Sequence, residues 1–131
     1  MKTAVDYFHQ GDLNFRKVGS VPEGAKDITL SLNDNERGGL CLALGEASGH
    51  AHVLVKEKES SIKIMEQNGR RYLVIEGKPV MLLHGTFVAP QKIKEVEADR
   101  HEGLIIHAGI YEQGFELGYD PFLRMKKKVV D

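Results

Sequence analysis

Apolar and polar residues alternate along this chain in short bursts set apart by Gly, Asn and Pro, and a period near two predicts β-strands rather than helices. Tyr7-Phe8-His9 and Leu13 to Val18 flank Gln10-Gly11-Asp12, which predicts an N-terminal hairpin with Gly11 at positive φ. Val21-Pro22-Glu23-Gly24 reads as a turn, and Ile28-Thr29-Leu30-Ser31-Leu32 as a half-buried strand ending in the loop from Asn33 to Gly39. Leu40 to Leu44 is apolar throughout and reads as a strand buried on both faces. The strongest local signal is Ile62 to Gln67, then Asn68-Gly69, then Arg70 to Ile75, because Asn-Gly favours the type I′ turn whose twist suits a two-residue hairpin.

Gly77-Lys78-Pro79 should then turn the chain into Val80 to His84, and Leu104 to His107 with Tyr111 to Leu117 should pair around Gly109. Gln91 to Glu102 is charged, with Ile93 and Val96 as its apolar anchors. It fits an exposed loop, a short helix or a charged edge strand. The expected architecture is all-β: one compact antiparallel β-barrel or β-sandwich of about ten short strands. A single β domain over residues 1–131 is expected, with no internal repeat and no low-complexity tract.

Composition narrows the class of protein. Apolar residues make up 41% and charged residues 28%, values of a globular chain that buries one core. Eighteen Lys and Arg oppose nineteen Asp and Glu, so the net charge of −1 gives no field to gather a polyanion or an anionic lipid face. Nucleic acid is not the expected partner, and no apolar run approaches the roughly 18 residues that span a bilayer. Cys41 is the sole cysteine, so no internal disulfide forms. Its neighbours Leu40 and Leu42 are apolar, which suits a packed thiol with a raised pKa and not a nucleophile. With no apolar leader at Met1 to Asp6, the expected location is the cytoplasm where the chain is made.

Chemistry concentrates in Gly49-His50-Ala51-His52. On a strand His50 and His52 project from one face, so two imidazoles could hold one ion together. Val80, Leu82 and His84 share a face of a later strand, which makes His84 the best third ligand. His101 and His107 stand behind it, and Glu57 is an oxygen donor in reserve. The alternative is a pair of histidines that fill polar positions on an exposed strand. No phosphate-binding loop is present, since Glu36-Arg37-Gly38-Gly39 lacks a strand-to-helix setting. Nine aromatic residues are scattered without basic interleaving, which argues against a single-strand stacking platform.

Gly45, His50, His52 and Glu57 resemble the first motif of the cupins, the double-stranded β-helix family, over about one tenth of the domain. That resemblance implies one divalent transition metal as cofactor. A broader likeness rests on Gln10-Gly11-Asp12, on Gly45-Glu46-Ala47-Ser48-Gly49-His50-Ala51-His52, and on His101 with Ala108-Gly109-Ile110-Tyr111-Glu112. In these the chain is similar to a group of small bacterial and phage proteins, which implies a compact β-fold and brings no activity with it. Two expectations follow. The first is a non-enzymatic domain acting through protein–protein contacts, such as a structural or head-decorating component of a phage particle, with no cofactor and with virion association. The second is a small cupin-like metal protein using His50 and His52.

Assembly is expected at the N-terminus. Thr3 to Phe8 carries only Asp6 as a charge, so its edge is weakly protected and Tyr7 and Phe8 are the candidate interface residues toward a copy of itself or a capsid-like subunit. Arg124 to Lys128 is heavily charged and is expected to face solvent or an acidic surface.

Overall fold

The computed structural model describes residues 2–11, 13–35, 37–44, 50–86 and 103–115. They form β1 (Lys2–Thr3), β2 (Tyr7–Gln10), β3 (Leu13–Val18), β4 (Lys26–Asp27), β5 (Asn33–Asp34), β6 (Gly39–Leu44), β7 (His50–Val55), β8 (Ser60–Gln67), β9 (Arg70–Gly77), β10 (Val80–Thr86), β11 (Leu104–Ile106) and β12 (Gly109–Phe115). One sheet has the order β1-β11-β10-β7-β6-β5, the other β2-β3-β12-β9-β8-β4. Two six-stranded sheets with free edges make this a sandwich, not a closed barrel. All pairs are antiparallel except β1 with β11.

The hairpin signals hold. Asn68 and Gly69 have φ of 53° and 79°, and Gln67 pairs with Arg70 across them, as a type I′ turn requires. Gly11 has φ of 61° between β2 and β3. Strand parity then builds the core, with Phe8, Leu13, Phe15, Ile64, Leu73, Ile75 and Tyr111 from one sheet against Leu42, Leu54, Val80, Leu82 and Ile106 from the other. Phe8 stacks on Phe15 at 5.0 Å and meets Tyr111 edge-on at 5.6 Å. In the first sheet, β7 and β10 also bury Ala51, Val53 and Leu83 on their other face. Their near-continuous apolar sequence has that cause.

Three expectations are corrected. Ile28 to Leu32 is not a strand, because Thr29–Leu32 forms a 3-10 turn. Asp27 Oδ1 accepts hydrogen bonds from Thr29 N–H and Oγ1–H, and Ser31 Oγ donates to the Ile28 carbonyl. These local bonds compete with a sheet ladder and leave Leu30 89% exposed. Leu40 to Leu44 is strand, but only Leu42 is fully buried there, since β6 bulges between Cys41 and Ala43 and its outer neighbour β5 has two residues. Finally, β11 and β12 do not pair with each other. The chain crosses between sheets at His107-Ala108, and β12 gains long ladders with β3 and β9 that the three-residue β11 could not offer.

Both open sides of the sandwich are laced. On one, Ala4 N–H donates to the Ile105 carbonyl and Lys17 N–H to the Asp6 carbonyl, so the link from β1 to β2 ties the sheets together. On the other, Ile28 N–H donates to the Ile64 carbonyl, and Thr29 Oγ1 accepts from Ile64 N–H.

Candidate functional site

The sandwich interior is apolar at one end and polar at the other. His52 and His84 occupy directly opposed positions on β7 and β10 and are 1% and 2% exposed. Their rings stack at 4.0 Å between centroids with 17° between planes. Gln10, on the inward face of β2 two positions after Phe8, reaches across the sandwich. Its Nε2 donates to the Leu82 carbonyl at 2.9 Å, and its Oε1 lies 2.9 Å from His52 Nδ1. That oxygen can only accept, so His52 carries a proton on Nδ1. Gln113, buried on β12, and Arg71, whose Nη1 donates to the Leu42 carbonyl, face inward at the same end.

Strand parity thus brings His52 and His84 together as the sequence suggested, with His50 two positions along, opposite Thr86. A shared ion is another matter. Imidazole lone pairs lie in the ring plane, and planes inclined by 17° and 4.0 Å apart do not meet within a metal–nitrogen bond of about 2.0–2.2 Å. Glu57 is exposed, past the far end of β7, and His107 is exposed between β11 and β12. His101 and Gly45 lie outside the described residues, as do Gln91 to Glu102 and Arg124 to Lys128. Among the described residues no three His, Cys, Asp or Glu side chains gather closely enough to hold an ion. Cys41 is half-buried, and desolvation raises its thiol pKa above the ordinary value.

The candidate interface residues are divided by the same parity. Tyr7 points outward and is 56% exposed, whereas Phe8 is committed to the core of its own chain at 7%. Val5, just before, is 68% exposed. Beside Tyr7 on the outer face stand Arg16 and then Glu112, a register the pairing of β2, β3 and β12 dictates. Glu112 accepts from Arg16 Nη2 at 2.6 Å, from Tyr72 Oη at 3.3 Å and from Arg70 Nη1 at 3.4 Å. Desolvation, with the Glu112 charge second, raises the Tyr72 phenol above the usual tyrosine range. An open cleft of about 530 Å³ lies on the opposite side, floored by Leu40, Leu54 and Ile62 with Lys56 at its rim.

Gln10 and Glu112 stand in the short motifs quoted above, and Glu112 suits a carboxylate partner, but the sequence shows neither the buried amide nor the hub. The inward side of Gln10 could have been found, since it shares a strand face with Phe8. The hub joins three strands that only the topology makes neighbours.

The described residues define a laced β-sandwich with a buried imidazole–amide cluster and one four-residue sheet edge that carries no Asp, Glu, Lys or Arg. Residues 9–114 match a protein family described as a domain of unknown function, DUF8820, and the chain belongs to that family. No curated protein and no solved structure matches it.

Proposed function

We propose that this chain is a non-enzymatic β-sandwich that works through protein–protein contacts, with the β2 edge as its contact surface. The observation that carries the reading is a contrast among the four sheet edges of the described residues. β1, β4 and β5 are each two residues long and each includes a charged side chain, while β2 runs for four residues, Tyr7-Phe8-His9-Gln10, with no Asp, Glu, Lys, Arg or Pro. Proteins shield edges by shortness, charge and proline, and β2 uses none of these devices. Exposed Tyr7 and Arg16 beside it are residue types that anchor interfaces. A structural or head-decorating place in a phage particle is the assembly we put forward, on the strength of the short-motif likeness.

The test is a photo-crosslinking amino acid at Tyr7, irradiated in the cells or particles that make the chain. A discrete protein adduct at Tyr7, without one when the label replaces exposed Glu76 on the same face, supports the reading. Equal labelling at both positions, or none at Tyr7, overturns it. A second reading, one divalent transition metal in a cupin-like site, is favoured by the adjacency of His52 and His84 and needs their rings to turn out of the stack.

A further inference from the structure

Which backbone groups of β2 are bare follows from a single hydrogen bond. Lys17 N–H donates to the Asp6 carbonyl, so Asp6, Phe8 and Gln10 turn their peptide groups toward β3. Alternation then aims both the N–H and the C=O of Tyr7 and of His9 away from the sheet, and among the described residues no strand lies beyond them. We infer that β2 pairs antiparallel with β2 of a second copy of this chain about a twofold axis, Tyr7 of each opposite His9 of the other. The inference rests on the contact reading above and names its partner.

Three registers satisfy the direction of the bare groups; His9 opposite its own twin would set Tyr7 against Gly11, which has left the strand at φ of 61°, and side-chain chemistry chooses between the other two. Setting Tyr7 opposite its own twin would place Asp6 against the partner's Phe8 on the inner face, a carboxylate desolvated by a phenyl ring. Setting Phe8 opposite its own twin instead continues the stacked Phe15–Phe8 pair into a line of four rings across the axis. On the outer face Tyr7 then lies between Arg16 of its own sheet and the partner's His9, a favourable cross-strand aromatic neighbour. Asp6 falls opposite the partner's Gln10, so no like charges oppose each other. Four backbone hydrogen bonds form, from Tyr7 and His9 of each copy.

Such an edge contact is small. A four-residue strand falls well below the roughly 1,200 Å² of a stable interface, so association is weak and grows with concentration. That size suits one contact among many in a larger assembly.

The experiment uses the purified full chain. Sedimentation and amide exchange are measured from about 20 µM to about 1 mM, where mass action should slow exchange at Tyr7 and His9 at least about fivefold while Phe8 and Gln10 stay unchanged. His9→Pro removes one outward N–H and no bond to β3, so it should keep the melting temperature and abolish association. Concentration-independent exchange at Tyr7 and His9, or undiminished association of His9→Pro, overturns the inference. If His9→Pro misfolds, the wild-type exchange data still decide. Should the chain stay monomeric while Tyr7 crosslinks to a different protein in cells, the twofold pairing falls and the contact reading stands.

Discussion

Gln10 and Leu82 stand 72 residues apart in the chain, yet the amide of one donates to the carbonyl of the other at 2.9 Å and joins the two sheets. Because the other end of that amide meets His52 Nδ1, one side chain serves two buried polar groups. Gln10→Ala should therefore cost about 2–4 kcal/mol in chemical denaturation, since it removes two buried hydrogen bonds and opens a void. Gln10→Glu keeps the volume, loses the donor to Leu82 and buries a charge, so it should cost at least as much.

Replacing Gly69 with Val should destabilise the chain by about 1 kcal/mol or more, because φ of 79° strains a β-branched residue. Asn68→Gly should be close to neutral. A thermal melt of the two variants checks the pair.

Asp27 is held below the ordinary carboxylate range by hydrogen bonds from Thr29, the hydroxyl first and the backbone N–H second. A carboxylate whose pKa falls on folding adds stability above its unfolded pKa, and that stability is lost as pH drops through the folded value. The Asp27–Thr29 contact should thus support the fold at neutral pH and fail in acid. Thr29→Val removes the hydroxyl donor and should move the Asp27 titration, followed by NMR, upward toward its ordinary value.

The stacked rings of His52 and His84 give the metal reading a sharp test. If they keep this arrangement, zinc added to the purified protein leaves the melting temperature unchanged and metal analysis finds less than stoichiometric ion. A rise that His84→Gln abolishes would show that the rings reorient to chelate. Its size would give the affinity through the logarithmic dependence on free zinc.

Strand alternation and turn chemistry made most of the fold legible. Asn68-Gly69 set one hairpin, Gly11 another, and the parity of His52 and His84 was right because both lie in regular, unbulged strands. What stayed hidden was non-local. Alternating hydroxyls at Thr29 and Ser31 look like a strand face, but their side chains bond the adjacent backbone instead. The neighbours of β11 and β12 depend on which sheet each joins, and nothing in Gly109 announces a crossing. For the candidate site, sequence placed Tyr7 and Phe8 together, while the pleat sends them to opposite faces.

The ladders of β1 with β11 and of β3 with β12 bind strands made early to strands made late. During synthesis the β2–β3 hairpin therefore leaves the ribosome without its neighbour and waits through nearly a hundred further residues, about 5–20 s at ordinary elongation rates. The β8–β9 hairpin needs no such delay, since its two strands are consecutive. Through that interval both sides of β2–β3 are bare, and a nascent chain on a neighbouring ribosome presents the same hairpin once its own β3 has emerged. Where the messenger carries several ribosomes, correct pairing of that hairpin with β12 of its own chain competes with mispairing between neighbouring chains.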